Sequence, residues 1–160
     1  MFRFWIPIAV VLAALAVAAT AQADRGVRPA ESAGSYMKTI VKQKLASQYD
    51  LVWQSLYPAH QRVASRDAYV ACESLIPSMG ELASVKVLHV FNERIAVAGV
   101  AHKVKTRAVR VWVAVAVPSF PQFPVITIRT FHAIAVAGQW RWILSPDQYS
   151  YYSEGTCPWA

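Results

Sequence analysis

The chain has 160 residues, of which 56% are hydrophobic and only 16% are charged, and its formal net charge is +7. This composition argues against disorder and allows a single domain with a substantial core. The basic residues are scattered along the chain, so we interpret the charge as a basic surface with lysines protecting strand edges, and we expect no nucleic-acid partner.

The N-terminal residues 1–23 have the pattern of a secretory signal peptide. Arg3 precedes a short apolar run, and Thr20-Ala21-Gln22-Ala23 supplies a small-x-small ending. We predict cleavage after Ala23, export, and a mature net charge near +6 once Arg3 is lost. An uncleaved membrane anchor is the alternative, but the run is short for the roughly 20 residues of a spanning helix. Residues 24–34 then form a flexible leader, and no later segment is predicted to span a membrane.

Cys72 and Cys157 are the only cysteines of the chain. An isolated pair in an oxidising compartment most often forms a disulfide, which would tie the end of the chain to its helical half. A catalytic thiol is the alternative, although no histidine lies near either cysteine in sequence. We therefore predict a structural disulfide.

Helix patterns occupy the first half of the domain, which we place at residues 35–160. Ser35 is predicted to cap a first helix, whose apolar residues recur at the spacing of one helical face. A second short helix around Trp53 is predicted to stop at Pro58, and Ser65 is predicted to cap a third helix. The apolar positions of the first helix are Tyr36, Ile40, Val41, Leu45 and Tyr49.

After Gly80 the apolar residues alternate, as they do in strands. The predicted strands cover residues 85–91, 95–100, 109–117, 125–136 and 140–144. Turns are expected at residues 92–94 and 137–139, and a proline-containing loop at 118–124. The tyrosines near the C-terminus are predicted to form a tail laid over the domain. The order of elements predicts an α+β fold, in which N-terminal helices pack on one face of a curved antiparallel sheet.

Three segments of the chain resemble the NTF2-like (cystatin-like, SnoaL-type) superfamily, in particular its small secreted bacterial members. They are Trp53-x-x-Leu56-Tyr57-Pro58-Ala59-His60-Gln61, Ser65-Arg66-x-x-Tyr69-x-x-Cys72 and Val136-Ala137-Gly138-Gln139-Trp140-Arg141-Trp142-Ile143-Leu144. The resemblance covers residues 36–144. It implies a cone-shaped sheet wrapped by helices, with a pocket inside. Members include isomerases, dehydratases, cyclases and transport factors, so the resemblance assigns no reaction.

A pocket is predicted on the helix-facing side of the sheet. The more aliphatic set of the strand at 125–136 is expected to face the helices together with the valines of residues 109–117. Thr130 and His132 would then be polar groups on an apolar face, and His132 is the one candidate catalytic residue. The alternative is a histidine at the edge of the core, bonded to a backbone carbonyl. The predicted pocket-lining residues are Trp53, Tyr57, Tyr69, Val111, Val113, Ile128, Thr130 and His132.

The opposite face of the sheet is predicted to carry aromatic rings between arginines. Such a face suggests a homodimer through the sheet or a surface for another partner. Arginine stems that simply cover the rings are the alternative. The residues of this predicted face are Arg110, Trp112, Arg129 and Phe131.

The motifs of several chemistries are missing from the sequence. No His-x-His or His-x-x-x-His spacing, nucleophile elbow or phosphate loop occurs, so we predict no metal and no cofactor. The leading hypothesis is an exported, non-catalytic domain that binds a small apolar ligand or a protein or envelope partner. One alternative is a small isomerase or dehydratase with His132 as its base, oriented by Tyr57 or Tyr69. Another is a cell-envelope accessory domain that contacts anionic polymer.

Overall fold

The computed structural model describes residues 29–75, 80–118 and 120–157. The predicted signal peptide and residues 24–28 of the predicted leader lie outside this part. The helices are α1 (Ala33–Leu45), α2 (Tyr49–Gln54), α3 (Pro58–Gln61), α4 (Arg66–Ser74) and α5 (Pro146–Ser153). The strands are β1 (Glu81–Ile95), β2 (Val104–Val117), β3 (Phe120–Val136) and β4 (Gln139–Trp142).

The strands form one antiparallel sheet in the order β1-β2-β3-β4, with α1 packed against β1. The predicted α+β class and the meander order are therefore confirmed. Four strands replace the predicted five. The expected turn at residues 92–94 continues β1, and residues 96–100, which are predicted as part of a strand, form a loop. Asn92 and Glu93 pair with Arg107 and Thr106 of β2, so the ladder holds these polar residues in extended conformation.

The first helix begins earlier than predicted. Ser32, not Ser35, is the cap, and its hydroxyl accepts a hydrogen bond from the Ser35 backbone N–H. The predicted apolar face is buried at Tyr36, Ile40 and Val41. Met37, absent from the predicted face, is fully buried as well.

Two prolines of this protein begin helices that the sequence pattern does not predict. Pro58 was expected to stop a helix, but it occupies the first turn of α3, where its missing N–H would have no partner in any case. The predicted cap at Ser65 is confirmed, since its hydroxyl accepts from the Ala68 N–H. Pro146 likewise begins α5, with a capping box between Ser145 and Gln148. The predicted C-terminal tail is therefore a helix.

The predicted loop at residues 118–124 is mostly part of β3. Val117 pairs with Phe120, and Val115 pairs with Val125. Residues 121–124 of β3 thus stand opposite the single residue Ala116. The prolines of this segment are tolerated because they fall in the irregular pairing, where a missing N–H costs no ladder hydrogen bond.

The disulfide between Cys72 and Cys157 is formed, as predicted, with the two Cα atoms 5.2 Å apart. It joins α4 to the residues that follow α5 across a sequence separation of 85. The hairpin between β3 and β4 is also confirmed. Ala137 and Gly138 both have positive φ, at 48° and 75°, which is the conformation of a two-residue type I′ turn.

Candidate functional site

The register between β2 and β3 decides which side chains share a face of the sheet. Val111 lies opposite Arg129, and Trp112 lies opposite Ile128. Directly opposite residues of antiparallel strands point to the same side. The helix-facing side therefore carries Val109, Val111, Val113 and Val115 with Val125, Thr127, Arg129 and Phe131. The other side, which we call the open face, carries Arg110 and Trp112 with Ile126, Ile128, Thr130 and His132.

The structure does not bring the predicted pocket residues together. Ile128, Thr130 and His132 lie on the open face, so the predicted face assignment of β3 is wrong by one residue. The remaining five lie on the helix side: Trp53, Tyr57, Tyr69, Val111 and Val113.

The space between the helices and the sheet is filled by large side chains. Met37 and Tyr69 are fully buried there, and Trp142 is nearly so. Trp53 is half-buried and donates from Nε1 to the Ala64 carbonyl, 2.7 Å away. Tyr57 stands edge-on to the ring of His60, with 5.5 Å between centroids. These aromatic residues therefore act in packing and hydrogen bonding within the fold.

The predicted aromatic and arginine surface is divided in the same way. Arg110 and Trp112 belong to the open face. Phe131 packs against the core, and Arg129 is exposed on the helix-facing side of the sheet. The reason is the same one-residue shift. The alternation within each strand is as predicted, but the predicted face combined residues of β2 and β3 that lie on opposite sides of the sheet.

The open face combines exposed apolar side chains with cations. Phe91, Ile126 and Ile128 are 37%, 55% and 46% exposed. Lys86 Nζ lies 5.0 Å from the centroid of the Trp112 ring, close enough for a cation–π contact. Ile128 is the cross-strand neighbour of Trp112. Ile126, Ile128 and Trp112 thus adjoin on this face with Lys86 beside them, a combination found at interaction surfaces.

His132 lies on the open face and contacts a carboxylate. Its Nε2 is 2.9 Å from Glu93 Oε2, and both side chains are partly exposed. The predicted role as a base in a dry pocket is therefore not supported by its position. The alternative, a bond to a backbone carbonyl, is wrong as well. The contact ties the C-terminal part of β1 to β3 across β2.

His60 has a structural role that the sequence did not reveal. The residue lies in α3 and is fully buried. Nδ1 accepts a hydrogen bond from the Leu144 N–H at 3.0 Å, so Nε2 carries the proton and donates to the Ala98 carbonyl at 3.1 Å. This neutral ring joins α3, the loop after β1 and the segment after β4. Burial lowers the pKa of His60, and the Ala98 contact only partly opposes this effect.

The lowered pKa of His60 predicts a stability that falls in mild acid. The unfolded chain takes up a proton as the pH drops below 6.5, whereas the folded ring resists it until lower pH. Stability from this group is therefore complete above that value and is lost as the pH falls towards the folded pKa. We expect His60→Gln to be less stable near neutral pH by about 1–3 kcal/mol, through its lost hydrogen bonds.

The measurement is urea unfolding of both proteins between about pH 7 and pH 5. The variant should lose less stability over this range than the wild type. Because the rest of the chain is the same in both proteins, the difference between their pH curves isolates His60. Parallel pH curves for the two proteins would contradict the assignment.

A buried ion pair between α1 and α4 is a second group that the sequence reading missed. Glu73 is 1% exposed, and its Oε2 lies 3.2 Å from Lys44 Nζ. Lys44 also lies over the Trp142 ring, 5.2 Å from its centroid. Burial, and then the Glu73 charge, raise the pKa of Tyr69 and of Tyr152 far above the usual tyrosine value, so both stay protonated.

The burial of Glu73, though not its pairing with Lys44, could have been expected from the sequence. Tyr69, Cys72 and Glu73 are spaced by three and by one, which places them on one helical face. The disulfide holds Cys72 against the fold, so the neighbouring carboxylate on that face must be buried too.

A cleft of about 510 Å³ lies beside the start of α1 and the β3–β4 hairpin. Its polar groups largely bond to one another. Trp140 Nε1 donates to the Glu31 carbonyl, and Arg141 donates to the Gln54 carbonyl and to the Gln139 side chain. These hydrogen bonds therefore join the helical part of the fold to the hairpin.

Among the described residues, no group of three or more His, Cys, Asp or Glu side chains is placed to hold a metal ion. Over the same ranges, no helix has the length and apolar character needed to cross a membrane. No model of a known protein family matches the chain, and no curated protein matches it.

Proposed function

We propose that this protein is an exported, non-catalytic NTF2-like domain whose open face binds another protein, through an apolar segment of the partner flanked by acidic side chains. The observation that carries the proposal is the exposure of Ile126 and Ile128 beside Trp112, with Phe91 exposed further along the same face. They lie on a sheet face that the described helices leave uncovered.

The charges of the open face favour an acidic partner. Lys86 and Arg110 lie near its centre, in neighbouring rows of the ladder. Glu81 and Glu93 lie towards its two ends, and Glu93 is already in contact with His132. A face-to-face second copy would bring the central cations together, which is unfavourable in a mature chain with a net charge near +6.

The apolar character of the same surface favours a protein over a hydrated polyanion. Burying Ile126, Ile128 and Phe91 stabilises a complex only if the partner also presents apolar surface. An anionic envelope polymer would use the cations and leave these side chains in water. This difference makes the two classes of partner distinguishable by experiment.

Export is supported by two independent features of the chain. The signal-peptide pattern of residues 1–23 is one, and the Cys72–Cys157 disulfide is the other, since such bonds persist in oxidising compartments. His60 and Glu73 are buried and have partners within the fold, so neither is presented to a substrate. This supports a binding role over a catalytic one. The NTF2-like assignment is supported by the helices-first order and the closing hairpin.

The test is selection of displayed random peptides on the mature protein. We expect the selected peptides to carry apolar centres flanked by Asp or Glu. Lys86→Glu should weaken their binding by about tenfold or more, because it places a like charge against the acidic flank. Phe91→Ser should weaken it through lost apolar contact.

The matched control is Leu51→Ser, which removes an exposed leucine from α2 and should leave binding unchanged. Enrichment of Lys- or Arg-rich peptides would contradict the proposal, as would equal binding by all three variants. Salt-sensitive binding of an anionic polysaccharide, with no selected peptide, would favour the envelope-polymer alternative instead.

A further inference from the structure

The outer edge of β3 is open over most of its length. β2 pairs with β3 along one side from residue 120 to residue 133. On the other side, β4 pairs only with residues 133–136. Within the described part of the chain, no strand therefore pairs with the outer edge of β3 at residues 122–132.

The sequence of this edge is suited to strand pairing. Residues 125–131 read Val-Ile-Thr-Ile-Arg-Thr-Phe, in which every residue except the arginine is β-branched or aromatic. Val125, Ile126 and Ile128 are each about half exposed. Backbone N–H and C=O groups along such an edge form a template for a further strand.

The other edge of the sheet is protected, which sets β3 apart. β1 carries Glu81, Lys86, Glu93 and Arg94 along its length. Charged side chains on an edge strand oppose pairing with another chain. On β3 the only charged residue between positions 125 and 131 is Arg129, and the prolines lie towards the start of the strand.

We propose that the outer edge of β3 pairs antiparallel with the same edge of a second copy of this chain, extending two four-stranded sheets into one of eight strands. The segment is self-complementary. Pairing centred on Thr127 places Arg129 opposite Val125, and Ile126 opposite Ile128. Pairing centred on Ile128 places Arg129 opposite Thr127. Neither register brings the two arginines face to face, and both put apolar side chains beside apolar side chains.

The symmetry of this dimer determines where the open faces lie. Antiparallel pairing of identical strands places the two-fold axis perpendicular to the sheet, so a given face of both copies points to the same side. The two open faces become one surface of double width. The inference does not depend on what the open face binds, because the contact uses backbone groups at the edge.

Cysteine cross-linking tests the dimer directly, because both native cysteines are already paired. Thr127→Cys and Ile128→Cys are oxidised under mild conditions in the otherwise native chain. Across a two-fold axis, the central residue faces its own copy with Cβ atoms about 5 Å apart, within reach of a disulfide. We expect cross-linking at one of these two positions. The controls are Leu88→Cys on β1 and Trp112→Cys on the open face, which should stay monomeric on denaturing gels.

Sedimentation velocity of the unmodified protein and of Thr127→Lys gives the second measurement. The wild type should form a dimer as its concentration rises, and the lysine should raise the dissociation constant by about tenfold or more, since it charges the edge. A wild type that remains monomeric at every concentration overturns the inference. A dimer that cross-links at Trp112→Cys and not on β3 overturns it too. A monomer that still selects acidic peptides would leave the proposed function standing.

Discussion

Cys157→Ser is expected to destabilise the protein by about 4–5 kcal/mol, because opening the disulfide frees a loop of 85 residues in the unfolded chain. That amount is a large part of the roughly 5–15 kcal/mol of total stability usual for a domain. The C-terminal residue is the better one to change, since Cys72 is buried in the core and its loss would also leave a cavity. Urea unfolding at neutral pH measures the effect.

Reduction of the wild type supplies the control for this prediction. A dithiol reductant should lower the stability of the wild type to that of Cys157→Ser, and should leave the variant unchanged. An equal unfolding midpoint for oxidised wild type and variant would mean that α5 is held by its own packing. Tyr152, which is buried beside Tyr69, would then supply most of the attachment.

Local signals in the sequence predicted local structure well. Ser65 caps α4 as expected, and the Ala137-Gly138 turn is where the alternation breaks. The C-terminal helix was equally accessible, because Ser145-Pro146 and Gln148 form a capping box that the tyrosine-rich composition obscured.

The sequence could not show in the same way which alternating set of β3 shares a face with which set of β2. Both alternating sets of β3 contain apolar residues, so hydrophobicity alone did not say which set faces the helices. The more aliphatic set, with Ile126 and Ile128, turned out to lie on the side of the sheet away from the helices. β1 adds further ambiguity, since its register shifts between Leu82 and Ser84 and between Val87 and His89.

The buried polar groups differ in how visible they are from the sequence. Glu73 follows from the helical spacing of α4. His60 does not, because its partners at Ala98 and Leu144 are 38 and 84 residues away in the chain. Only the tertiary fold brings those backbone groups to the two ring nitrogens. The functional prediction centred on His132 failed for the related reason that its face depends on strand register.

Lys44→Met is expected to destabilise the protein by about 2–3 kcal/mol, because it leaves the buried Glu73 carboxylate without its counter-charge. The estimate lies below the usual cost of breaking a buried pair, since about a quarter of the Lys44 side chain is exposed and water already weakens the interaction. Methionine keeps the aliphatic stem beside Trp142 and removes only the cation.

The companion variants separate charge from packing. Glu73→Gln keeps the shape of the side chain and removes the buried charge, so Lys44→Met should cost much less in that background than in the wild type. The double-mutant cycle, measured by urea unfolding, gives the coupling between the two side chains. Additive effects would mean that Lys44 acts through its contacts with Tyr69 and Trp142. In that case the ion pair contributes nothing, and the buried carboxylate must be satisfied by groups other than Lys44.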